Sequence, residues 1–157
     1  MTRREIPLDA RVILQVLAHH AVSYVVIGGV AVQAHGHTRT TQDLDVVPEP
    51  SSENLDRLAS AVVALRARPV GAQEPAGPVR IPDRGTLELD TDVGGIDVHI
   101  NPPGAASYAA LEARAVQLDV FDLRLKVAGR DDLIAMKRAS GRPIDRSDIL
   151  ALTEPDG

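Results

Sequence analysis

The chain has 157 residues and a mass of 16.7 kDa, the size of one domain, and a chain this long buries roughly 70% of the surface it would expose unfolded. Apolar residues make up 44% and charged ones 25%, close to globular averages, which excludes a disordered tail or a fibrous repeat. The formal charge of −5 argues against indiscriminate coating of nucleic acid, and the absence of cysteine excludes disulfide scaffolds, thiolate zinc sites, iron–sulfur clusters and cysteine nucleophiles together.

The first seven residues, Met-Thr-Arg-Arg-Glu-Ile-Pro, lack the apolar stretch and cleavage site of a secretory signal, and neither end carries a lipidation motif, so a cytoplasmic protein is expected. Residues 8–20 place Leu8, Val12, Leu14, Val16 and Leu17 on a broad helical stripe. Residues 23–27 read as a short apolar strand ended by Gly28 and Gly29, with a brief helix over residues 30–35. The longest nearly unbroken apolar run, residues 24–32, is about half of what a bilayer span requires, and no membrane role is expected. Residues 36–41 form a polar loop before an alternating acid and aliphatic strand at residues 43–47, stopped by Pro48 and Pro50. Ser51 or Ser52 can cap the next helix, on which Leu55, Leu58, Ala59, Val62 and Leu65 recur at helical spacing.

Residues 67–85 hold four prolines and three glycines and read as a long surface loop with a short strand near residues 79–81. Residues 86–89 and 95–100 flank the turn-rich Asp90-Thr-Asp-Val-Gly94 as a β-hairpin; that turn imitates the start of a calcium loop but lacks its terminal glutamate. A helix follows Pro103 over about residues 105–114, and residues 116–118 and 121–127 suggest two edge strands. Residues 131–140 form an amphipathic helix on Leu133, Ile134 and Met136, broken by Gly141 and Pro143 ahead of a last short helix carrying Ile144, Ile149 and Leu150. No internal repeat is visible. Helices and hairpins together predict a single α/β (α+β) domain: a small mixed sheet flanked by helices.

Chemistry concentrates in Asp43-Leu44-Asp45-Val46. On a strand, residues two apart share a face, so both carboxylates point one way and Leu44 and Val46 the other. Adjacent like charges repel, and in a cysteine-free chain the natural partner for the pair is a hard divalent cation such as Mg²⁺. An isolated Asp-x-Asp is more often a solvated edge strand, but this pair has company. Gly28-Gly29 lies between strand and helix, where backbone N–H groups can receive phosphate oxygens and a β-carbon would block the approach. A third acid, Asp97, sits in the alternating strand Gly95-Ile96-Asp97-Val98-His99-Ile100. His99 shares its face and borders any site built there, whereas the spacings of His19, His20, His35 and His37 match no zinc pattern. Neither a Gly-x-Ser-x-Gly elbow nor a Walker lysine loop occurs.

The joint pattern of Ile27-Gly28-Gly29, a spacer of about a dozen residues, Asp43-Leu44-Asp45-Val46 and a later strand Asp97 resembles the polymerase-β-like nucleotidyltransferase superfamily. Within it, Arg39-Thr40-Thr41-Gln42-Asp43-Leu44-Asp45, Leu133-Ile134-Ala135-Met136-Lys137 and Arg142-Pro143-Ile144-Asp145-Arg146-Ser147-Asp148 are similar to toxin nucleotidyltransferases of the AbiEii and MenT type. The resemblance covers about residues 25–150 and implies the nucleotidyltransferase fold. It implies that Gly28 and Gly29 cradle the triphosphate of an NTP substrate, and that Asp43, Asp45 and Asp97 bind two Mg²⁺ ions about 4 Å apart. Asp97 is also the implied base for the acceptor proton. Arg39 and Thr41 would touch phosphate; Lys137 matches a nucleotide-contacting lysine, and Asp145 and Asp148 match the acids that follow it.

Simpler roles exist for several of these residues. Lys137 can snorkel at the edge of an apolar face, Asp145 and Asp148 can serve as a helix cap and first-turn charge, and Arg39 and Thr41 can be plain loop residues. The implied activity is transfer of a nucleoside monophosphate to an acceptor hydroxyl, with the 3′ end of tRNA as acceptor and an antitoxin as partner. Two other readings are transfer to a small molecule or protein, as in antibiotic modification or AMPylation, and a catalytically silent nucleotide-binding module. Residues 120–150 carry seven basic against five acidic side chains, only a mildly positive surface for RNA.

Overall fold

The computed structural model describes residues 6–75 and 77–153; the signal-sequence reading of the N-terminus falls largely on residues 1–5, outside them. Among the described residues thirteen elements follow one another: α1 (Ala10–His19), β1 (Tyr24–Ile27), α2 (Gly28–Ala34), β2 (Asp43–Pro48), α3 (Ser52–Ala64), β3 (Arg68–Pro69), β4 (Gly85–Thr91), β5 (Gly94–Ile100), α4 (Tyr108–Ala113), β6 (Val116–Val120), β7 (Leu123–Val127), α5 (Arg130–Ser140) and α6 (Pro143–Thr153). All seven strands join one sheet in the order β3-β4-β5-β2-β1-β7-β6. It is mixed, as expected: β2 runs parallel to β5 and β1 to β7, while the other neighbours are antiparallel. No helix among the described residues is long and apolar enough to cross a membrane.

Burial follows the sequence periods. Leu44 and Val46 of β2 and Ile96 and Val98 of β5 are buried in one core with Ile13, Leu14 and Leu17 of α1 and Leu58 and Val62 of α3. With almost no aromatic side chains, aliphatic residues fill that core. Ser51 caps α3 by accepting from the Asn54 N–H at 3.3 Å. Fully buried Asn54 then ties α3 to the strand ends: its amide nitrogen donates to the carbonyls of Ser23 and Glu49, and its oxygen accepts from the Ser23 N–H at 2.7 Å. Each polar atom of that buried amide is therefore satisfied.

Three expectations need correction. No strand forms at residues 79–81, where flanking Pro78 and Pro82 remove ladder donors; the outer edge of β4 is instead taken by Arg68 and Pro69, paired with Asp90 and Leu89. Phe121 is not in a strand. Phe121 and Asp122 both have positive φ, 52° and 62°, the geometry of a two-residue hairpin turn between β6 and β7; β7 also pairs with β1, so of these two strands only β6 is an edge. The helix expected at residues 105–114 is shorter, starting only after Ser107 caps Ala110. On α6, Ile144 and Leu150 are exposed while Asp145, Asp148 and Leu152 are buried.

Candidate active site

Sheet register assembles the acidic side of the site. In the parallel pairing of β2 with β5, Asp45 is the direct neighbour of Asp97, and in the antiparallel pairing of β1 with β2 it faces Ile27, the last residue before the glycine pair. His99 stands two residues beyond Asp97, on the same face. One ligand atom from each of Asp45, Asp97 and His99 lies within 4.8 Å of the others. The His99 Nε2 is 2.8 Å from Asp45 Oδ1, and its Nδ1 is 3.1 Å from the Thr86 hydroxyl on β4. Asp43 lines the same cavity without joining that group.

The glycine pair sits against these carboxylates. Gly28 and Gly29 do not precede α2 but form its first residues. Gly28 has φ +70°, in the left-handed region that glycine tolerates without steric cost, and a β-carbon there would run into the Asp45 carboxylate. A β-carbon on Gly29 would meet the Arg39 guanidinium and come within 2.9 Å of the Thr41 hydroxyl. Both glycines are thus required by close approach of the very side chains singled out in the sequence. Thr41 donates to the Asp43 carbonyl at 3.1 Å, which fixes the entry to β2.

Cations from the loop before β2, from α5 and from the turn between α5 and α6 line the same cavity. Gly141, at φ +67°, ends α5 in the left-handed cap that lets the chain reverse. That reversal packs the buried acids of α6 against α5: Lys137 Nζ is 2.9 Å from Asp148 Oδ2 and 3.3 Å from Asp145 Oδ1. Arg39 Nε donates to Asp148 Oδ1 at 2.9 Å. Arg142 donates to Asp145 from its backbone N–H and twice from its guanidinium, at 3.0–3.2 Å. Burial alone would push the Asp145 carboxyl up. The hydrogen bonds from Arg142 and Ser140 and the charge of Lys137 outweigh it and hold the carboxyl at about 2. Arg142 is correspondingly pushed up by its bond to Asp145.

Gly28, Gly29, Arg39, Thr41, Asp43, Asp45, Asp97, Lys137 and Asp145 therefore all border one cavity of about 380 Å³; Asp148 reaches it through Arg39 and Lys137. No protein-family model and no curated protein matches the sequence. Solved structures do. The lincosamide antibiotic adenylyltransferase LnuA in its lincomycin-bound form is similar over 95% of this chain and 98% of its own, with a TM-score of 0.66 at 15% identity. ANT(2″)-Ia, crystallised with adenylyl-2″-tobramycin, matches over 89% and 83% with a TM-score of 0.59 at 15% identity. An antigenic nucleotidyltransferase-like protein from Paracoccidioides brasiliensis matches over 93% and 77%, with 0.57 at 17%. The chain has the nucleotidyltransferase fold. This is the fold that the Gly-Gly and Asp-x-Asp pattern implied.

Within the nucleotidyltransferase fold of this chain, three cavity residues escaped the sequence reading. Thr86 and Glu88 on β4 are the register partners of His99 and Asp97, so the predicted β4–β5 hairpin already contained the signal. Period-2 alternation places all four on one face once the turn at residues 92–93 is fixed. Arg142 lies inside a quoted stretch but was given no role; only the fold at Gly141 brings it to the cavity.

Proposed function

We propose that this chain is a divalent-cation-dependent nucleotidyltransferase that moves a nucleoside monophosphate from an NTP to an acceptor hydroxyl. One observation carries the reading: a single cavity joins the Asp45, Asp97 and His99 group to the Gly28-Gly29 elbow and to the cations Arg39, Lys137 and Arg142. Carboxylates meet a cation and cations meet phosphates, and a nucleotide triphosphate with its metal is the ligand that needs both at once.

The donor set fits a divalent cation. Asp45 and Asp97 offer carboxylate oxygens at close range, and the space a Gly28 β-carbon would fill is kept open beside Asp45. Asp43, Asp45 and Asp97 are the proposed ligands, and two Mg²⁺ ions, when bound, supply charge neutralisation at the attacking and leaving oxygens. Gly28 and Gly29 let the phosphates approach the backbone, Thr41 offers its hydroxyl, and Arg39, Lys137 and Arg142 receive phosphate oxygens. Asp97 takes the proton of the acceptor hydroxyl. The acceptor oxygen then bonds to the α-phosphorus, the bond from the α-phosphorus to the bridging oxygen breaks, and pyrophosphate leaves. Asp145 and Asp148 hold the three cations in their places rather than touching the nucleotide.

The acceptor favoured by the resemblance to AbiEii and MenT toxins is the 3′ end of tRNA, with an antitoxin as binding partner. Support comes from Arg39, Lys137, Asp145 and Asp148, the residues that carry that resemblance, which interact directly. A small-molecule acceptor is the second reading, favoured by the likeness to LnuA and ANT(2″)-Ia, whose structures hold lincomycin and an adenylylated tobramycin. Incubating the protein with each α-labelled NTP, Mg²⁺, total RNA and a set of hydroxylated small molecules tests both. Label on tRNA supports the toxin reading and label on a small molecule the second; label on neither, with NTP bound but intact, would leave a silent nucleotide-binding module.

A further inference from the structure

We propose that His99 is a ligand that makes the cation site prefer Mn²⁺ over Mg²⁺, and that Thr86 is the positioning residue that sets the imidazole for it. The proposal rests on the reading of Asp45 and Asp97 as cation ligands. It starts from the make-up of the group within 4.8 Å: two carboxylates and one imidazole, an imidazole that the three-carboxylate expectation did not include. Mg²⁺ demands octahedral oxygen and gives up its water reluctantly, whereas an imidazole nitrogen suits first-row transition ions. A nitrogen donor among the oxygens therefore shifts selectivity toward the transition metal.

A comparison within the molecule separates His99 from a packing histidine. His35 spends its Nε2 on the backbone carbonyl of Ala128 at 2.8 Å, a structural bond with nothing to ligate. His99 instead turns Nε2 to the Asp45 carboxylate inside the cavity. A carboxylate only accepts, so in a neutral imidazole the Nε2 that faces Asp45 carries the hydrogen and Nδ1 is left to accept from the Thr86 hydroxyl. To ligate, Nε2 must offer its lone pair, so the hydrogen passes through water to Nδ1, which then donates to the same hydroxyl. A hydroxyl is both donor and acceptor, and Thr86 therefore serves the imidazole in both tautomers. Partners of this kind on a ligating histidine are commonly worth 10–100-fold in metal affinity.

The test uses the full chain and the metals alone. Bound Mn²⁺ should show nitrogen coupling in pulsed electron paramagnetic resonance, lost in His99→Ala and, as a second variant, in His99→Asn. By titration, His99→Ala should lose about 10–100-fold in Mn²⁺ affinity but under about threefold in Mg²⁺ affinity, and Thr86→Val about 10-fold for Mn²⁺, with Thr86→Ser restoring it. Bound Mn²⁺ without nitrogen coupling, or equal loss of both metals in the His99 variants, would overturn the proposal while leaving Asp45 and Asp97 as ligands. Failure of the unaltered protein to bind either metal would overturn that underlying reading as well.

Discussion

On one side of the cavity Asp45 and Asp97 stand on adjacent parallel strands, their spacing set by backbone register; on the other, Lys137, Arg142, Asp145 and Asp148 come from two helices joined at Gly141 and are held by ion pairs. The strand wall keeps like charges close, at an electrostatic cost that a bound cation would offset. The helix wall, with Arg39 joining it from the loop before β2, brings three cations to two acids, so an excess of positive charge is left for an anionic ligand. Function and stability should accordingly separate between the walls, with acids of the strands needed for chemistry and acids of α6 needed for the fold.

The largest effect is expected on the strand wall. Asp45→Asn should lower transfer at least about 1,000-fold, because a neutral amide cannot hold the cation, while circular dichroism and thermal unfolding show stability unchanged or raised as repulsion with Asp97 is relieved. Asp148→Ala should do the reverse in stability. It strips Arg39 and Lys137 of a buried partner, and denaturant unfolding should register a loss of about 3 kcal/mol. If both variants lose the same stability, the division between the walls is wrong.

A finer probe is pH. The Asp145 carboxyl is lowered from 3.8 to about 2 in the fold, so its contribution is present above pH 4 and is lost as pH falls from about 4 to about 2. The amount is about 2 kcal/mol. Unfolding curves across that range should flatten in Asp145→Asn relative to the unaltered chain. Gly28→Ala probes the seam between glycine elbow and strand wall: the left-handed backbone costs about 1–2 kcal/mol, and the new β-carbon pushes Asp45 aside, so weaker cation binding should accompany the lost stability. Smallest of all is Leu150→Ala on the outer face of α6. With Leu150 65% exposed, its effect on unfolding should stay within about 0.5 kcal/mol.

What the sequence made legible follows from what a local pattern can encode. Alternation in Asp43-Leu44-Asp45-Val46 fixed which side chains face the cavity, since a strand's period is short and strict. The Gly28-Gly29 pair was equally readable because left-handed backbone and close approach select glycine whatever the distant contacts. The charge pairing behind α6 was not readable: Lys137 and Arg39, the latter more than a hundred positions away, neutralise Asp148 and draw the acidic face in, which leaves Ile144 and Leu150 exposed. His99 lay between these cases: its face was evident, its contact with Asp45 depended on cross-strand register.

Parallel reactions with α-labelled and γ-labelled NTP, each with the unaltered protein and with Asp45→Asn, probe nucleotidyl transfer at this cavity most directly. The α-label should move to the acceptor and the γ-label leave in pyrophosphate, both only with the unaltered protein and a divalent cation. Release of the γ-label as inorganic phosphate, or equal transfer by Asp45→Asn, would contradict it.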